Sequence, residues 1–168
     1  MLLIGWKEWW IKLSSAGKLS LSVVALAIAG FLVHTMLQTA AAPQVAFTTL
    51  RGEQFAMSEL RGKVVLVNFW ATDCPGCMKE MPQMIETHRR FEAQGFESVF
   101  IAMQHDRPDF VLDYTEKNRL PFKVALDLRG ELAQAFGDVR LTPTTFVVDR
   151  RGNIVTRITG EPDFVKLH

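Results

Sequence analysis

Val64-Val65-Leu66-Val67-Asn68-Phe69-Trp70-Ala71-Thr72-Asp73-Cys74-Pro75-Gly76-Cys77-Met78-Lys79-Glu80-Met81-Pro82 is the stretch that decides the fold. Its first seven residues are almost continuously apolar and β-branched, the pattern of a central strand covered on both faces. The sequence then breaks, and residues 74–94 read as a helix in which Met81, Ile85, His88 and Phe91 share one stripe. Pro82 inside it predicts a kink, and Gly95 ends it. A strand that runs out through a short loop into a helix sets Cys74 at a helix N-terminus. The unpaired N–H groups there favour an anion.

Working outward, residues 45–57 read as a β-hairpin turning at Arg51-Gly52. Ser58 is a plausible cap for a single turn reaching Leu60. Beyond the central helix, residues 96–103 form a second buried-strand candidate. Residues 107–118 form a helix with Asp106 as cap and Pro108 in its first turn. A short strand over 122–126 and a short helix over 130–136 follow. Strands 144–148 and 154–159 flank the turn Asp149-Arg150-Arg151-Gly152-Asn153, the clearest hairpin in the chain. Residues 162–167 supply only a turn or two of terminal helix, which predicts a thinly covered sheet face there. The fold class is α/β: a central mixed β-sheet flanked by helices, preceded by the N-terminal hairpin.

The chain has 168 residues, 48% of them hydrophobic, enough for one compact domain. Residues 19–37 hold no Asp, Glu, Lys or Arg. As a helix they would span roughly 28 Å, close to the roughly 30 Å hydrocarbon core of a bilayer. Lys7, Lys12 and Lys18 precede this stretch, opposed only by Glu8. A single transmembrane signal anchor is therefore expected, with a cytoplasmic leader over 1–18 and everything after the span outside. Trp6, Trp9 and Trp10 suit the headgroup level. A connector over 38–44 and a domain over 45–168 follow. Cleavage after Ala42 is the rival reading, opposed by Pro43 and by the length of the apolar run. The formal charge of +1 comes from the leader, so nothing points to nucleic acid.

The two cysteines sit three positions apart. They cannot build a multi-bridge scaffold, and two thiolates fall short of a structural zinc set. A reactive pair is the better account: Cys74 as attacking thiolate, and Cys77, one turn further, placed to displace what Cys74 captures. Pro75 fits a first helical turn, and Gly76 lets a partner backbone approach. Met78, Met81 and Met84 raise a copper(I) reading as soft ligands, although their spacing also suits packing. On composition alone Glu80 is a solvated helix position.

The segment resembles the active site of the thioredoxin-fold superfamily, more closely that of membrane-anchored TlpA/ResA-like extracytoplasmic thiol–disulfide oxidoreductases. The likeness covers roughly residues 47–159. It implies that Cys74 is the nucleophile and Cys77 the resolving cysteine, with Trp70 packed beside them. Pro143 in Leu141-Thr142-Pro143-Thr144 matches a cis-proline facing the pair, and Thr142 would offer backbone groups to a bound peptide. Glu80 matches an acid that assists proton transfer. No cofactor is implied. The implied partners are protein disulfides, such as those of apocytochrome c or copper-delivery proteins, and a membrane electron donor of the DsbD or CcdA type. The implied location is the periplasmic side of the inner membrane. A copper-binding chaperone module and a disulfide oxidant remain alternatives, although Pro-Gly lacks the histidine common in oxidants. Two departures stand out. Asn68 occupies a place where many thioredoxins carry a buried Asp. Asp73 replaces a second tryptophan, and a carboxylate turned inward there would oppose a Cys74 thiolate.

Overall fold

The computed structural model describes residues 23–31 and 40–168. The chain divides into two units, one ending at Gln38 and one beginning at Thr39. In the first, residues 23–31 are helical, with Val23, Val24, Leu26, Ile28 and Phe31 exposed. The leader 1–18 and most of the expected span 19–37 lie outside the described residues. No helix among the described residues is long and apolar enough to cross a membrane.

The second unit is built on a five-stranded mixed sheet. Its strands are β3 (Val64–Trp70), β4 (Phe96–Ala102), β5 (Lys123–Leu126), β6 (Thr144–Val148) and β7 (Ile154–Thr159), in the order β5-β4-β3-β6-β7. Before them, β1 (Ala46–Thr48) pairs antiparallel with β2 (Gln54–Ala56). The central strand β3 runs parallel to β4 and antiparallel to β6. Four helices accompany the sheet: α1 (Pro75–Phe91), α2 (Pro108–Lys117), α3 (Glu131–Ala135) and α4 (Phe164–Leu167).

Alternation along β3 divides the core in two, because successive side chains point to opposite faces. Val65, Val67 and Phe69 join Phe47, Phe55, Phe136 and Phe146 on the face covered by the β1–β2 ribbon and α3. Leu66 and Trp70 join Met81, Met84, Phe100, Val111 and Phe122 on the face covered by α1 and α2. A mixed sheet with helices on its faces is thus the arrangement the resemblance implies.

Several local expectations need correction. The buried face of α1 comprises Cys77, Glu80, Met81, Met84, Thr87 and His88. It is rotated from the expected stripe, leaving Ile85 and Phe91 only half-buried. The rotation follows from the sheet: Asn68 draws Glu80 inward, and Ser98 on β4 receives the His88 ring (Nδ1 to Oγ, 3.1 Å). Ser58 lies inside its short 3₁₀ turn rather than capping it, and Glu59 reaches back to accept the Ala56 N–H at 2.8 Å. Asp106 makes no side-chain cap on α2, for it is engaged elsewhere.

Residues 40–42 are stitched to the β6–β7 turn. Ile154 donates to the Ala40 carbonyl, and Ala42 to that of Gly152. At the other end, α4 packs Phe164 and Leu167 onto the α1 face. Beside it opens a cavity of about 490 Å³ lined by Val147, Thr156, Ile158, Asp163, Lys166 and Leu167.

Phe146 is buried against Phe69 and Phe136, whereas Val165 is 89% exposed. Phe146→Ala should cost about 3–5 kcal/mol by leaving a cavity, and Val165→Ala no more than about 0.5 kcal/mol. Urea unfolding of both variants checks this, and equal losses would contradict the assignment of the core.

Candidate active site

The site starts where β3 stops. The Trp70 carbonyl accepts from Met103 N–H at 3.0 Å, and the Ala71 carbonyl from Cys74 N–H at 3.3 Å. Between them Thr72 is held by the side chain expected to cap α2. Its backbone N–H donates to Asp106 Oδ2 and its hydroxyl to Asp106 Oδ1, both at 2.6 Å, while Oδ1 also accepts the Arg107 N–H at 2.8 Å. The loop carrying the cysteines is therefore anchored to the end of β4 by a carboxylate with several donors.

Cys74 is the N-cap of α1, and its Sγ accepts the Cys77 N–H at 3.1 Å. The two cysteines form a disulfide with Cα atoms 5.3 Å apart. They differ in access: Cys74 is 9% exposed and Cys77 wholly buried. A sulfur anion at Cys74 would face the helix N-terminus and keep one N–H donor. Pro75 opens the helix and is exposed. Gly76 lies against Pro143, since a Cβ added there would stand 3.4 Å from the proline Cδ.

The Thr142–Pro143 peptide bond is cis. Its loop is held from both sides: Gly160 N–H donates to the Pro143 carbonyl at 2.8 Å, and the Thr144 hydroxyl to the Leu141 carbonyl at 2.7 Å. Thr142 is half-buried and Leu141 exposed at the mouth. Trp70 is fully buried in the same core cluster as both cysteines, with its ring against Phe100 and Tyr114. Met81 and Met84 are buried in that cluster too, and Met78 packs partly against it.

Glu80, read from composition as solvated, is only 1% exposed. It sits one turn beyond Cys77, where positions i and i+3 share a helix face. Its Oε1 accepts from Asn68 Nδ2 at 2.9 Å, and the same amide donates to Thr145 Oγ1 at 2.9 Å. Burial pushes the Glu80 carboxyl up to about 7; the Asn68 hydrogen bond works against this, and the nearby Glu161 charge adds to it. Glu80 Oε2, Asn68 Oδ1 and Trp70 Nε1 are buried without a hydrogen-bond partner. Of the two departures, Asn68 lies at the centre of this network. Asp73 points out to solvent, 72% exposed, with Oδ1 3.6 Å from His105 Nε2.

The structure thus sets Trp70, Cys74 and Cys77 in one buried cluster, packs Gly76 against Pro143 with Thr142 next to it, and buries Glu80 one turn beyond Cys77. Asp73 and Pro75, the neighbours of Cys74, are exposed. Sequence reading missed Thr72, Asp106 in its anchoring role, Thr145, His105 and the Lys79–Glu161 pair (2.8 Å). Each acts through a partner far away in sequence, which leaves no local signal.

Comparison with known proteins agrees with this geometry. Residues 37–165 match the family described as Redoxin. Thiol-disulfide oxidoreductase ResA of Bacillus thuringiensis subsp. konkukian is 36% identical over 121 residues, covering 71% of this chain and 68% of the relative. ResA of Halalkalibacterium halodurans is 31% identical over 157 residues, covering 92% and 88%. The solution structure of a putative thioredoxin from Neisseria meningitidis superposes with a TM-score of 0.72 at 35% identity, over 77% of this chain and 86% of that one. With a Cys-x-x-Cys disulfide at the end of a central strand and the start of a helix, this chain belongs to the Redoxin family, among its ResA-like thiol–disulfide oxidoreductases.

Proposed function

We propose that the chain is a membrane-tethered reductase of disulfides in exported proteins, with Cys74 as attacking sulfur. The observation that carries this reading is the asymmetry of the pair. Cys74 is the partly open cysteine at the helix start, with a donor already directed at its sulfur, and Cys77 is closed off beneath it.

In the reduced protein, the Cys74 thiolate attacks a substrate disulfide, bonds to one sulfur and expels the other as a thiolate. Cys77 gives its proton to the Glu80 carboxylate and attacks Cys74 Sγ. This closes the Cys74–Cys77 bond and releases the second substrate thiolate. Two electrons leave the cysteine pair and reduce the substrate, and the expelled thiolates take up protons. A carboxyl held near 7 both accepts and returns a proton at ambient pH, which suits Glu80 to this exchange. Asn68 holds it in place. The Thr142 backbone, beside Pro143, gives an extended peptide an edge to pair with.

A dithiol donor must restore the pair, and the resemblance supplies a membrane protein of the DsbD or CcdA type. Acceptors would be cysteines of apocytochrome c or of copper-delivery proteins. The apolar run 19–37, with lysines before it, supports a single span with the domain on the periplasmic side. Such a tether raises the local concentration of the domain at both partners.

Cys77→Ser should accumulate mixed disulfides through Cys74, and Cys74→Ser none. The pair's potential should lie well below the roughly −120 mV of a strong oxidant; a value near that figure would make the protein an oxidase. The full chain should stay with membranes through alkaline extraction, and protease added outside spheroplasts should digest the domain. Release into the wash would refute the anchor.

Glu80 also couples folding to pH. Its folded-state value of about 7 exceeds the ordinary 4.5, so between those limits the folded protein holds a proton that the unfolded chain has lost. The oxidised wild type should therefore lose stability relative to Glu80→Gln as pH rises from 4.5 to 7, with no further change above. Urea titrations across that range test it, and a constant difference between the two proteins would show that the carboxyl is not perturbed.

A further inference from the structure

Charge around the reactive sulfur is unevenly compensated. Lys79 is neutralised by Glu161 at 2.8 Å, Arg140 by Asp138, and Arg107 by Asp109. Asp73 immediately precedes Cys74, projects into solvent, and has a different kind of partner. His105 Nε2 stands 3.6 Å from Oδ1, and an imidazole carries charge only when protonated. The Leu141, Thr142 and Pro143 side chains of the loop packed against Gly76 are uncharged.

We infer that Asp73 selects substrates by charge, favouring a Lys or Arg beside the target cysteine, with His105 as the intramolecular partner it exchanges for that residue. This rests on the disulfide exchange at Cys74 proposed above. A mixed disulfide brings the substrate cysteine's Cα to roughly 4.4–6.8 Å from that of Cys74, and the next Cα is about 3.8 Å further along. The side chain flanking the substrate cysteine therefore comes within reach of the Asp73 carboxylate as the bond forms. An opposite charge there lowers the energy of the mixed disulfide and a like charge raises it. Because the carboxylate is exposed, the effect is moderate and is screened by salt.

The test uses the reduced full chain in detergent and disulfide-linked peptide dimers that differ only in the residue before cysteine: Lys, Gln or Glu. At low ionic strength the wild type should reduce the Lys peptide about tenfold faster than the Glu peptide, and by a much smaller margin at about 1 M salt. Asp73→Asn should bring the ratio to about twofold or less, and Asp73→Lys should invert it. His105→Ala should widen it. Each variant's rate with the Gln peptide is its own baseline, so a general change in thiol reactivity cancels. A wild-type Lys-to-Glu ratio that persists in both Asp73 variants overturns the inference. Failure of the wild type to reduce the Gln peptide would instead overturn the underlying exchange reading.

Discussion

The site depends on one constraint: β3 is covered on both faces and must surrender its chain at Trp70. Parallel β4 lies on one side and antiparallel β6 on the other, so both sets of backbone groups are taken up within the sheet. Beyond Trp70 the chain has no strand left to follow, and its backbone must find partners elsewhere. It finds them in Asp106, in a short turn and in the first turn of α1. The mouth of a helix is thereby fixed at the carboxyl end of a central strand. Cys74 occupies that mouth.

The same strand explains the polar centre behind the disulfide. Asn68 faces α1 from a fully buried position, and an amide there needs partners. Thr145 on β6 and Glu80 on α1 provide them, which draws an ionisable group into the core. For stability alone an apolar residue would serve better at position 80, since a buried carboxylate resists ionisation. Its own Oε2 lacks a hydrogen-bond partner, as do Asn68 Oδ1 and Trp70 Nε1, a further cost of polar burial. A fold tends to tolerate such conflicts where chemistry needs them.

Much of this was legible in sequence. The uninterrupted run 64–70 identifies the central strand, the turn at Arg151-Gly152 identifies the terminal hairpin, and two cysteines one helical turn apart identify a redox pair. What could not be read was the angle at which α1 rolls onto the sheet. The periodicity of Met81, Ile85, His88 and Phe91 gives a face, but Asn68 and Ser98 set the actual one through contacts that only the folded sheet creates. Asp106 misleads for a related reason. A carboxylate before a proline-initiated helix fits a cap, yet Thr72, distant in the chain, offers it two donors at once. Asp73 and His105 likewise meet only because the ends of β3 and β4 are adjacent.

The stitching of residues 40–42 to the β6–β7 turn has a mechanical side. That turn adjoins the start of β3, as the Gly62 N–H bonded to the Arg150 carbonyl shows, while the disulfide lies past the strand's other end. A seven-residue strand spans about 20 Å, so the chain enters the domain at the pole remote from its sulfur atoms. Tension applied at Ala40 would load the hydrogen bonds of Ala40 and Ala42 first and reach Cys74 only through the length of the sheet. A label, bead or surface attached on that side leaves the reactive pole clear.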